Sequence, residues 1–158
     1  MQETKARLKV EPGRQEVVLT HTFSAPPERV FQAYTDPQQI PEWWGPRDLE
    51  TTVDELDPRP GGRWRVIQRD SEGQEHAFHG VHHEVVPNQR LVRTFEYEGT
   101  PGHVLLETVT FEELGGTTKL TTHSVFQTVQ DRDAMVASGM ERGALESMER
   151  LAKLLASG

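Results

Sequence analysis

Cysteine does not occur among the 158 residues, so disulfides, thiolate metal ligands and a thiol nucleophile are excluded. Long apolar runs are missing too. The opening stretch MQETKARLKV is polar, and no segment suits a signal peptide or a membrane span, so a cytoplasmic protein is expected. Nor is there an excess of positive charge. A formal net charge of -8 at pH 7 argues against nucleic acid or an anionic membrane as partner, because either would be repelled. The nearest thing to a basic patch is Arg63, Arg65 and Arg69, whose even spacing in a strand puts all three on one solvated face. Nucleophilic triads, phosphate loops and dinucleotide fingerprints are absent.

The length is one domain's worth of chain. Residues 1–15 are expected to be an N-terminal extension and 16–158 a single domain. The β-branched, alternating run Glu16–Phe23 reads as a first strand. Ser24-Ala-Pro-Pro-Glu28 starts a helix carrying Val30, Phe31 and Tyr34, and Asp36, with Gln39 in capping-box position, starts a second that stops at Gly45-Pro46. Strands follow near 50–56, 62–70, 75–86, 90–98, 103–112 and 118–127, separated by DPRPGG, SEG, PNQ, EGTPG and GG. The pattern is an antiparallel meander.

Residues 131–156 read as one long amphipathic helix. Val136, Met140, Gly143, Ala144, Ser147, Leu151 and Leu154 share one side, with Arg132, Arg142, Glu146, Glu149 and Lys153 on the other. Gly139 and Gly143 interrupt it at about 1 kcal/mol each relative to Ala. They imply either close approach to a sheet or a hollow beneath the helix.

Hairpin closure assigns strand faces. A turn on Glu72-Gly73 pairs Trp64 with Val81 and Val66 with His79, so His79, Val81, His83 and Val85 should point inward. A turn on Gly115-Gly116 pairs Glu107 with Ser124, Val109 with Thr122 and Phe111 with Leu120 on an inner, half-polar face. For Pro87-Asn88-Gln89, a three-residue loop puts Leu91, Phe95 and Tyr97 inward, whereas a two-residue loop flips the strand.

Where that inner face meets the small side of the helix, a pocket touching Trp64, Val81, Met140 and Gly143 is expected. Its further lining would be Trp44, Val66, His83, Phe95, Tyr97, Val109 and Ser147. Glu107 and His79 are candidate catalytic groups, since a buried carboxyl beside a histidine can act as general acid or base. The plainer reading is a cavity carboxyl that only orients a ligand. Trp43 and Trp44 read as core and lid packing. His76 and His82 fall on the outer face, as does His123 on its own strand, while His79 and His83 fall inside. That division leaves no converging set of ligands, so no metal site and no cofactor are expected.

The strings FSAPPERVFQAYTDPQQIPEWWGP, RPGGRWRV, GVHHEVVPNQRLVRTFEYEG, LETVTFEELGG and SGMERGALESMERLAKLL occur in that order. In them the chain, from about residue 16, resembles the activator-of-heat-shock-protein-90-ATPase homologue family. That family belongs to the SRPBCC, or START-like, superfamily. The resemblance implies an α+β helix-grip (START-like, Bet v-like) fold: a curved antiparallel sheet around a long C-terminal helix, with two short helices after the first strand. It also implies a space between helix and sheet for apolar molecules, and a link to stress response. Eukaryotic co-chaperones of the family carry a separate chaperone-binding domain for which this chain has no length, so ATPase activation is not expected of it. The expected function is the binding of a small, mainly apolar or amphipathic ligand. The alternatives are a cyclase- or hydrolase-like enzyme using Glu107 and His79, or a co-chaperone-like module with a protein partner. Either a monomer or a homodimer fits.

Overall fold

The computed structural model describes residues 6–157. Eight strands form one antiparallel sheet: β1 (Arg7–Lys9), β2 (Glu16–Phe23), β3 (Glu50–Leu56), β4 (Arg63–Arg69), β5 (Glu75–Val86), β6 (Arg90–Tyr97), β7 (Val104–Leu114) and β8 (Thr117–Phe126). Their spatial order is β1-β2-β8-β7-β6-β5-β4-β3. Helices α1 (Pro27–Thr35) and α2 (Ile40–Trp43) follow β2, and α3 (Val129–Ala137) and α4 (Met140–Ser157) close the chain. The sheet is curved and grips the last helix. Of the segment expected as an extension, residues 1–5 lie outside the described residues, and Arg7–Lys9 adds an edge strand with Leu8 opposite Leu19.

Strand β2 alternates as its sequence requires, with Val17, Leu19, His21 and Phe23 buried. Pro27 sits in the first turn of α1, where its missing N–H is no loss. The Asp36 carboxylate accepts from the Gln38 N–H (2.9 Å) and from Gln39 Nε2 (3.1 Å), ordering the turn before α2, which itself begins only at Ile40. Trp43 ends that helix with its indole N–H on the Ala33 carbonyl (2.9 Å). The main core joins Phe23, Val30, Tyr34, Trp43, Leu91, Phe111 and Leu120 to Met148, Leu151 and Leu155 of α4.

The helix and the sheet each correct an expectation. The long helix is two helices, broken at Ser138-Gly139. Gly139 takes φ +91°, the left-handed geometry that ends a helix, and the Ser138 N–H closes back on Ala134 (3.1 Å). Gly139 therefore stops a helix. Arg132 is also not on the solvated side: it is 2% exposed and donates to the carbonyls of Glu11 (2.8 Å) and Glu16 (3.3 Å).

The sheet's correction is a register. Val66 pairs with Phe78, Trp64 with Gly80 and Gln68 with His76, one residue away from the expected pairing. The cause is the turn. The Asp70 carboxylate accepts from the N–H groups of Glu72 and Gln74 (both 2.9 Å), and Gly73 adopts φ +83°. Together they make a three-residue loop with a left-handed third residue, in place of the two-residue turn. A one-residue slip moves every side chain to the other face, so His76, Phe78 and His82 face in while His79, Val81 and His83 face out. A bulge between His82 and Glu84 then restores Val85 to the inside, opposite Leu91. The Gly115-Gly116 hairpin has the expected register throughout, and the Pro87-Asn88-Gln89 loop has three residues, with Asn88 at φ 65°.

Candidate functional site

Helix α4 (Met140–Ser157) is buried against the core mainly from Met148 onward, while Met140 at its start packs on Val17, Leu105 and Phe126. Met148, Leu151 and Leu155 are buried in the core, whereas Met140, Gly143, Ala144 and Ser147 stand over a hollow of about 750 Å³. The opposite wall is aromatic. Trp44, Phe78, Phe95, Tyr97 and Phe126 line it, with ring centroids 5.4 Å apart for Trp44–Phe78 and Phe78–Phe95 and 5.1 Å for Phe78–Tyr97. A Cβ on Gly143 would meet only Pro46 Cδ, at 3.6 Å, so the glycine keeps free volume rather than a tight helix–sheet contact.

The segment after α2 forms one rim and is fastened to α4. The Gly45 N–H donates to Ser147 Oγ (2.8 Å), and Arg150 donates to the carbonyls of Gly45 (2.9 Å) and Pro41 (3.2 Å). Gly45 sits at φ +91° and a Cβ there would lie 1.8 Å from Gln68 Nε2, so the rim and the Gln68 amide fit together only because the residue is glycine. The rest of the mouth carries an ion pair, Arg142–Asp48 (3.3 Å), and a hydrogen bond between His103 Nδ1 and the Asp131 carboxylate (2.9 Å).

Inside, the polar groups fall at two ends. At one end Glu107 Oε1 accepts from Arg93 Nε at 2.8 Å, and the two side chains are 15% and 6% exposed. The Arg93 guanidinium also lies 4.8 Å from the centroid of the Trp64 ring, a cation–π contact. Ser124, the cross-strand neighbour of Glu107, is buried and lines the same space. Behind it, burial pushes the Tyr34 phenol well above its ordinary pKa, and the Glu107 charge adds to the effect. Near Arg93, His82 is held neutral by burial first and by the guanidinium second, consistent with Nδ1–H donation to the Gly62 carbonyl (3.2 Å). At the other end His76 Nδ1 pairs with the Tyr97 hydroxyl (3.0 Å) beside Gln68.

The expected lining residues divide three ways. Trp44, Phe95, Tyr97, Glu107, Met140, Gly143 and Ser147 border the hollow. Trp64, Val66 and Val109 are in the packed interior behind it. His79, Val81 and His83 are on the outer face by the corrected register, where His79 contacts Glu98 (2.8 Å) and Glu96 (3.4 Å). The pairing of Glu107 with His79 as acid and base therefore does not exist. Among the described residues no three His, Cys, Asp or Glu side chains are grouped to hold a metal ion.

Sequence reasoning missed Gln68, His76 and Phe78, and it missed Arg93. His76 and Phe78 follow from reading Ser71-Glu72-Gly73 as a three-residue loop after Asp70, whereas Gln68 shares the inward parity of Trp64 and Val66 with either loop. Arg93 had a weaker signal: its parity with Leu91 and Phe95 puts it inside, opposite Glu107.

The family model described as Activator of Hsp90 ATPase homolog 1-like protein matches residues 24–156. A solved protein of Chromobacterium violaceum is 30% identical over 89% of this chain and 96% of its own, with a TM-score of 0.80. One from Rhodobacter sphaeroides is 26% identical over 98% of this chain and 100% of its own, at 0.89. A solution structure from Arthrobacter aurescens, 22% identical over 98% and 94%, superposes at 0.90 and shows the same fold. No curated protein matches the sequence.

Proposed function

Because this chain belongs to the Activator of Hsp90 ATPase homolog 1-like family, whose fold commonly binds hydrophobic ligands, we propose that it binds a small, mainly apolar molecule between the sheet and α4. The observation that carries this reading is the hollow itself. About 750 Å³ lies within the range of small-molecule sites, and the wall facing α4 carries Trp44, Phe78, Phe95, Tyr97 and Phe126, with polar groups toward the ends and the mouth. The hollow persists because the rim is fastened to α4 by Ser147 and Arg150 and because Gly143 projects nothing into it. Glu107, held by Arg93, then serves to orient the ligand rather than to transfer a proton.

Native mass spectrometry of protein purified from its own source tests this. The expected result is a stoichiometric small molecule that leaves on denaturation. Protein of bare polypeptide mass that also fails to take up apolar fluorophores would contradict it.

A further inference from the structure

The charges around the hollow narrow the ligand further, given that it is a ligand site at all. Asp48, Glu107 and Asp131 border it, against Arg142 as the one guanidinium among the described lining residues, and no lysine. Arg142 lies at the mouth, 64% exposed and already engaged by Asp48 and Glu146. Arg93 is spent on Glu107 and Trp64 and does not reach the space. His76 is taken up by the Tyr97 hydroxyl and His103 by Asp131. An anionic group entering here would give up its water and find no cation to replace it.

The inner end instead asks for a hydrogen-bond donor. An ionised carboxylate only accepts, and Glu107 uses Oε1 on Arg93 while its cavity-facing side lies beside Ser124. Ser124 is 8% exposed and Gln68, four strands away, 5%. Both point into the hollow, and neither side chain has a hydrogen-bond partner among the described residues. Their polar atoms are open to the hollow, where water or a ligand group completes them.

We propose that the site takes an uncharged aromatic molecule bearing a hydroxyl or N–H at the end that reaches Glu107 and Ser124, and rejects anions of the same skeleton. Free fatty acids and aromatic carboxylates are thereby excluded from its ligands.

Three fluorescent probes on one skeleton test this: 1-hydroxypyrene, 1-methoxypyrene and 1-pyrenecarboxylate, titrated at pH 7.5. The hydroxyl compound should bind at least about tenfold more tightly than the carboxylate and about fivefold more tightly than the ether, which lacks the donor. Gln68→Lys places a cation in the hollow without touching the Arg93–Glu107 pair. It should raise carboxylate affinity about tenfold relative to the ether measured on the same variant. A carboxylate bound by the unmodified protein as tightly as the phenol, or an ether equal to it, overturns the inference while leaving ligand binding intact. Failure of all three to bind overturns both. If Gln68→Lys does not fold, the ratios on the unmodified protein decide.

Discussion

Arg93 on β6 and Glu107 on β7 face each other across the sheet, joined at 2.8 Å with both side chains nearly excluded from water. A pair like this contributes little net stability when intact, because desolvation offsets most of the attraction, but losing one partner strands a buried charge. Glu107→Ala should therefore lower unfolding free energy by about 3–5 kcal/mol. Replacing both residues with Met and Leu should recover most of that loss. Urea denaturation of the two variants checks it, and a single variant within 1 kcal/mol of the parent, on the scale of an exposed pair, would show the pair to be solvated.

Two glycines with different reasons should respond differently to alanine. At Gly80 a Cβ would lie 1.8 Å from the Thr94 carbonyl oxygen and 2.6 Å from Trp64 Nε1, which itself donates to that oxygen at 3.1 Å. Backbone and indole would both have to move, so Gly80→Ala should cost several kcal/mol, on the scale of core overpacking, and shift tryptophan emission. Gly139 has open space around it and only its φ of +91° to lose, so Gly139→Ala should cost about 1 kcal/mol. Thermal unfolding of both proteins ranks them, and equal losses would count against the packing argument at Gly80.

Acid should weaken the fold in two separate windows. His82 is disfavoured as a cation in the folded protein, by burial and by Arg93. The unfolded chain takes up that proton near the ordinary value of 6.5, so stability is full above this pH and declines as pH drops below it. Glu98, on the outer face, is held down to about 2 by hydrogen bonds from Arg65 and then His79. Its contribution is present above 4.5 and is lost as pH falls toward about 2. Urea midpoints between pH 8 and 3 should show His82→Gln flattening the upper window and Glu98→Gln the lower. Identical pH profiles for parent and variants would contradict both assignments.

Much of this fold is legible in the sequence because its turns are. Gly115-Gly116 admits essentially one register, and that register places Glu107, Ser124, Leu105 and Phe126 on the inner face. The β4–β5 turn is where reading fails. Glu-Gly and Ser-Glu-Gly differ by one residue in loop length, and only the Asp70 carboxylate, accepting two backbone N–H groups, decides for the longer loop. That one residue exchanged His79 for Phe78 in the site. Gly139 was visible as a glycine but not as a stop, since helical spacing alone continues smoothly through it. Arg132 and Arg93 were hidden because arginine usually marks solvent, and nothing local announces the carbonyls or the carboxylate that bury it.

A ligand held between sheet and α4 depends on the space that Gly143 leaves. Gly143→Leu should project a side chain into that space, with its Cβ in ordinary contact with Pro46, and should gain about 1 kcal/mol of helix propensity. Titrating parent and variant with 1-hydroxypyrene, alongside thermal unfolding, reads occupancy and folding together. Affinity should fall at least about tenfold, with an unfolding temperature equal to or above the parent's. Unchanged affinity in a folded Gly143→Leu protein would contradict this, because the probe would then be bound somewhere other than the hollow.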